Sequence, residues 1–304
     1  ARWHGVPIVA RLVGDNWRIL EEEGLENARE SRSVRSYLRY RSSLLLDEAI
    51  YANAEGYITV SNELEDVVQR RIGIAPARVD VVPVPVTKDV HATGDPEVAR
   101  RTHEIRADRV VLSVTNLLFE AKLAGVETIV GELEPVLERD PNLALVIAGD
   151  GPYHDDLLDF IDTSIDDPDV RRRIHAPGHV DEVAHLYALA DVFVYVSHLD
   201  GYPNVVLEAQ SAGLPVVVND AHGMREQVRE GETGYRVDAS ESGALRDRVQ
   251  LLLSDDRLRR SIGTAARRQV VAENSSRAIG DRLETSIEGI LAASHGSDAS
   301  SFRS

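Results

Sequence analysis

Two carboxylates, Asp200 and Glu208, stand with seven residues between them in the stretch Asp191–Val218, DVFVYVSHLDGYPNVVLEAQSAGLPVVV. An apolar run of strand type ends at Ser197, Asp200-Gly201 turns the chain, Pro203 suits a first helical turn, and Glu208 falls in the helix that follows. Strand, glycine turn and helix start together make an anion site. The backbone N–H groups from Tyr202 through Asn204 and Val205, with the positive end of the helix dipole, are suited to a phosphate or an anionic leaving group. Gly201 lets a ligand approach the main chain where a Cβ would hinder it. Taken singly, each piece has a plain reading: a turn, a helix start, a solvated glutamate. Their occurrence in this order after a strand favours the anion site.

Elements that could hold such a site are visible along the whole chain. Apolar runs of strand length alternate with longer segments of helical period, the pattern of parallel sheets covered by helices. Val6–Val13 is expected as a first strand, Arg29–Asn53 as a long helix, Tyr57–Val60 as a second strand, and Val79–Val84 as a third. Between the last two, Asn62 is expected to cap a helix that Gly73 closes. Residues 83–96, with Pro83, Pro85, Gly94 and Pro96, form the best linker. Beyond it, strands are expected at Val110–Val114, Ala144–Ala148, Arg173–Ala176, Val192–Val196 and Pro215–Val218, a complete doubly wound domain. The division is thus 1–95 for a first domain and linker, 96–272 for a second domain, and 273–304 for a C-terminal helix and an irregular Ser-, Gly- and Asp-rich tail from Ser294. Three strands are few for a covered sheet, so the first domain is expected to lack its N-terminal part.

At Asp200, Glu208 and the following Gly213-Leu214-Pro215-Val216, the sequence resembles the family-4 retaining glycosyltransferases, group 1 enzymes of the GT-B fold. The resemblance covers nearly all of residues 96–240. It implies two Rossmann-like domains facing a cleft, with the nucleotide-sugar donor held by the second and the acceptor by the first. It further implies that Glu208 binds the ribose diol and that Asp200, where the family usually has Glu, touches hydroxyls of the donor sugar. The segment SVTNLLFEAKLAGVETI resembles the family's diphosphate grip: Lys122 matches its lysine, while Asn116 replaces its arginine and brings no charge. Gly149-Asp150-Gly151-Pro152 matches a loop where small residues let the nucleotide lie on backbone, although a tight turn explains it equally well. Gly178-His179-Val180 matches a segment that lines the base pocket by main-chain contacts, and Gly223-Met224 a turn closing the sugar pocket. In the first domain Val13 stands where many members carry a histidine, and Asp15 and Asn16 read best as turn or capping residues.

Composition narrows the alternatives. The chain has 51 acidic against 34 basic residues and a formal charge of −17, which argues against nucleic acid as a partner. Lys88 and Lys122 are its lysines and all other basic residues are arginine, a balance suited to concentrated salt. Without cysteine, packing rather than disulfides must hold the fold. Asp167-Pro168-Asp169 is the one Asp-x-Asp, in an acidic loop, so neither a metal nor any other cofactor is expected beyond the donor substrate. Arg32, Arg35 and Arg39 are expected on one helical face, near Tyr37 and Tyr40, as a contact for anionic lipid headgroups or a phosphate-bearing lipid acceptor; Glu21, Glu22 and Glu23 would neutralise them in the plainer reading. The expectation is therefore a metal-independent retaining hexosyltransferase, with catalytic Asp200, Lys122 and Glu208 and a glycan or lipid-linked acceptor. Its expected place is the cytoplasm, extending to the inner membrane surface. The rivals are a catalytically silent nucleotide-sugar-binding subunit and a sugar-nucleotide epimerase or phosphorylase.

Overall fold

A computed structural model describes residues 7–86 and 94–301, which fall into two compact units. The first gathers the described residues up to Pro85, Leu199–Tyr202 and the helix that starts at Ser276. Its sheet has three parallel strands, β1 (Val9–Leu12), β2 (Gly56–Thr59) and β3 (Val79–Val81), in that order. β2 is buried along its whole length because both faces are covered. Tyr57 packs with Trp17, Leu44, Leu64 and Val68, and Ile58 points the other way to Val82, Ile279 and Ile290. The C-terminal helix, Ser276–Ser301, supplies that second cover and stays helical through the stretch from Ser294 that was expected to be irregular.

Boundaries in this unit moved for local reasons. Ser61, not Asn62, caps the Asn62–Ile72 helix by accepting the Leu64 N–H, and Gly73 closes it in the left-handed region. β3 stops at Val81, ahead of Pro83 and Pro85, which have no N–H to give a ladder. Helical segments over Asn16–Ile19 and Leu20–Glu26, the second a π-helix, had no counterpart among the expected elements, and the helix expected over Arg29–Asn53 is divided into Asn27–Glu30 and Val34–Tyr51. Half of the linker, residues 87–93, lies outside the described residues.

The second unit holds the described residues from Val86 to His198 and Pro203–Ser275. Six parallel strands, β4 (Arg109–Val114), β5 (Leu143–Ala148), β6 (Ile174–Gly178), β7 (Val192–Tyr195), β8 (Val216–Asn219) and β9 (Gly234–Val237), lie in the order β6-β5-β4-β7-β8-β9. β9 was not anticipated; a four-residue GYRV run carries too little pattern to announce a strand. The order reverses at the β4/β7 boundary, the switch point outside whose carboxyl ends open α/β sheets bind ligands. One face packs on the helices Glu120–Arg139, His154–Ser164 and Ala244–Ser254, the other on Pro96–Thr102, Ala184–Leu189 and Asn204–Ser211. Along β7 the alternation follows: Val192 and Val194 enter the first layer, Phe193 and Tyr195 the second.

Candidate functional site

At the carboxyl edge of the six-stranded sheet, the loops after β4, β5 and β6 are joined by main-chain hydrogen bonds. Thr115 N–H donates to Ala148 O at 3.0 Å, Leu117 N–H to Asp150 O at 3.0 Å, and Gly149 N–H to Gly178 O at 2.8 Å. This contact explains the glycines. At φ +146° a Cβ on Gly149 would lie 1.6 Å from Thr115 O, and one on Gly151 2.3 Å from Leu117 O. Neighbouring backbone thus demands Gly149 and Gly151 directly, a reason that sequence reading missed. Pro177 cannot donate in β6, and the β5–β6 register shifts beside it before Gly178. Val180 follows, half-buried against the second core layer, while His179 is exposed beside Asp181.

Lys122 sits in the first turn of the Glu120–Arg139 helix, after β4, and is 4% exposed. Three residues on, a Cβ at Gly125 would lie 2.2 Å from Val196 O, so this turn lies against the end of β7. Lys122 Nζ consequently donates to Tyr195 Oη at 2.7 Å and stands 5.3 Å from that ring's centroid. Across the switch point, Glu208 is one turn into the Asn204–Ser211 helix, and its Oε2 accepts from Tyr187 Oη at 3.1 Å. Burial, and then the Glu208 charge, push the Tyr187 hydroxyl well above its ordinary 10.0, so tyrosine is the donor and glutamate the acceptor.

The Asn204–Ser211 helix begins with Pro203 at its N-cap, one position before the first turn, where the sequence had placed it. Pro203 O accepts from buried Gln227 at 2.9 Å, which fixes this entry, and the N–H groups of Asn204 and Val205 open the helix without intrahelical acceptors. Just upstream, Asp200, Gly201 and Tyr202 group with the first unit. A Cβ on Gly201 would meet Val13 O at 3.5 Å, an ordinary contact, and Tyr202 packs on the core around Trp17 and Tyr57. Glu208, Lys122, Gly149, Gly151 and Val180 therefore share one sheet edge, whereas Asp200 groups with the first unit. Asn116 is exposed in the loop after β4. Met224 is buried and opens the Met224–Gln227 helix, with Gly223 at its N-cap.

Comparison with known proteins gives the family. The model of the family "Glycosyl transferases group 1" matches residues 96–269, which include the β4, β5, β6 and β7 loops just described. The chain belongs to the group 1 glycosyltransferases. It is 26% identical over 205 residues to the capsular polysaccharide biosynthesis glycosyltransferase CapM of Staphylococcus aureus, covering 66% of this chain and 51% of that protein. It is 28% identical over 231 residues to the D-inositol 3-phosphate glycosyltransferase of Kribbella flavida, covering 73% and 54%. The chain spans about half the length of these curated relatives. Among solved structures, Anabaena HepE in complex with UDP superposes with a TM-score of 0.71 at 17% identity, covering 93% of this chain and 72% of that one. WaaG, a glycosyltransferase involved in lipopolysaccharide biosynthesis, gives 0.69 at 18% identity, covering 90% and 73%. These likenesses show the GT-B fold, with its two Rossmann-like domains.

In this group 1 glycosyltransferase, a concavity of about 830 Å³ lies instead at the amino edge of the sheet, lined by His103, Arg106, Arg172, Arg173 and His175 among others. Its basic character has a structural cause. Arg173 donates to the carbonyls of Leu137, Asp140 and Leu143 where the Glu120–Arg139 helix ends, and Arg172 pairs with Asp169. Helix carboxyl ends converge there, and their negative dipoles draw cations inward. The arginine stripe is also corrected. The helix starts at Val34 with Ser33 as its cap, and Arg32 precedes it with φ 52°, off the helical face that Arg35 and Arg39 share. Glu21 pairs with Arg71, not with this stripe. Among the described residues no group of three His, Asp or Glu side chains could hold a metal ion, and no helix is long and apolar enough to cross a membrane.

Proposed function

We propose that this chain carries the donor site of a glycosyltransferase that moves a sugar from a nucleoside diphosphate to an acceptor hydroxyl with retained anomeric configuration. One observation carries the reading. Lys122 and Glu208, opposite in charge and remote in sequence, stand at one carboxyl edge beside the switch point, each engaged by a tyrosine hydroxyl. In this reading Lys122 and the first N–H groups of the Asn204–Ser211 helix receive the diphosphate, stabilising the charge that grows on it as the sugar departs. Glu208 accepts from the ribose hydroxyls, Val180 borders the base, and Asp200 contacts the sugar. No enzymic nucleophile and no metal are required.

The acceptor is proposed to be a glycan or a lipid-linked sugar. The helix Val34–Tyr51 supports the lipid option: Val34, Leu38, Leu45, Leu46 and Ile50 are each more than half exposed, in company with exposed Arg35 and Arg39. Sedimentation with vesicles containing anionic lipid, lost in Leu38→Glu/Leu45→Glu, tests that contact. A catalytically silent donor-binding subunit is the second reading, favoured by neutral Asn116 and by Val13, 63% exposed where the family resemblance expects histidine. Calorimetry with UDP, GDP and ADP, followed by incubation with radiolabelled UDP- and GDP-sugars, tests both. Binding with transfer supports the enzyme, binding without transfer the silent subunit, and absence of binding refutes the donor site.

A further inference from the structure

The second layer of the sheet carries a row of three aromatic rings. Tyr187 and Phe193 have centroids 5.9 Å apart, and Phe193 and Tyr195 stack at 6.4 Å. All three are buried, so their rings are accounted for by packing. The hydroxyls at the two ends of the row are not. Phenylalanine would fill nearly the same space at either position, and what it would lack is the oxygen.

Those oxygens act in opposite senses. Tyr195 Oη accepts from the Lys122 ammonium, whose Nζ also stands near that ring. An amine in a buried side chain is driven to shed its proton unless something replaces water, and a phenol oxygen together with the negative face of its ring does so. Tyr187 Oη, its proton fixed by burial, donates to Glu208 Oε2 and so sets which way that carboxylate turns. We propose that Tyr195 and Tyr187 are positioning residues of the donor site, Tyr195 keeping Lys122 charged and in place for the diphosphate and Tyr187 holding Glu208 for the ribose. The inference rests on the donor-site reading above. It divides recognition of one ligand between two ends of one aromatic row.

The division gives a test that loss of packing would not mimic. Calorimetry compares UDP with uridine, or GDP with guanosine, whichever diphosphate the wild-type chain binds more tightly. Tyr195→Phe is expected to weaken the diphosphate about tenfold, leave the nucleoside unchanged, and add nothing further in a Lys122→Met background. Tyr187→Phe is expected to weaken nucleoside and diphosphate by the same factor, about tenfold, and to add nothing in a Glu208→Ala background. Phe193→Leu serves as the packing control: it should lower the thermal midpoint while preserving the ratio of the two affinities. Equal loss of nucleoside and diphosphate affinity in Tyr195→Phe, or a loss that persists without Lys122, would overturn the inference. Unchanged affinities in both phenylalanine variants, with wild-type binding intact, overturn it while sparing the donor-site reading; a wild-type chain that binds neither ligand removes both.

Discussion

Replacing Gly149 by alanine should damage the site from a position that carries no functional group. At φ +146° an L side chain is strained by about 1–3 kcal/mol. The new Cβ would also sit 1.6 Å from the Thr115 carbonyl oxygen, so the loops after β4 and β5 must separate, an overpacking cost of about 1–3 kcal/mol more. Separation endangers the Thr115–Ala148 and Leu117–Asp150 hydrogen bonds and shifts the segment that leads into Lys122. A total of about 4 kcal/mol is expected, read as a lower urea midpoint, with nucleotide affinity falling further than residual stability explains. Gly131→Ala is the matched control. It is exposed inside the Glu120–Arg139 helix with nothing within 4 Å of its Cβ, and should stabilise by about 0.5–1 kcal/mol. A loss below about 1 kcal/mol for Gly149→Ala, or a gain like that expected of Gly131→Ala, would refute the claim that these loops are locked together.

Glu208→Ala should weaken nucleoside and nucleoside diphosphate alike by about 1.5–3 kcal/mol, whereas Asp200→Ala should spare nucleotide binding and reduce sugar transfer; equal losses of both properties in both variants would contradict the division of roles. Arg173→Ala should cost about 2–3 kcal/mol in thermal unfolding, because three carbonyls between the end of the Glu120–Arg139 helix and the start of β5 lose one planar donor, and Arg173→Lys should recover little of it. Burial, and then repulsion from His103, hold His175 below its ordinary 6.5, with Glu104 opposing. The unfolded chain then takes up that proton first, so stability is full above about pH 6.5 and falls as pH drops from there through the lower folded value. His175→Gln should flatten this acid limb in urea titrations at several pH values; an unaltered slope would exclude His175 as its source.

The alternation of strands and helices, the doubly wound second domain and the Asp200/Glu208 pair were legible in sequence because each rests on local pattern. β-branched runs of strand length, a glycine turn and a helix start are fixed by near neighbours in the chain. β9 escaped, since four residues beginning with glycine carry no period, and Arg32 left its helix because Ser33 caps at a point that periodicity does not mark. Other features depended on residues distant in sequence. That Gly149 and Gly151 face backbone from another loop, that Asp200 groups with the first unit, and that the C-terminal helix covers β2 are facts about packing between remote segments. The same holds for the tyrosines. Tyr187 and Tyr195 read as ordinary apolar positions of a helix and a strand, and only the approach of the Gly125 turn to β7, and of the Asn204–Ser211 helix to Ala184–Leu189, brings a lysine and a glutamate to their hydroxyls. Sequence fixes which groups are present and what each segment prefers; which charge meets which hydroxyl is decided by close packing of elements that share no local signal.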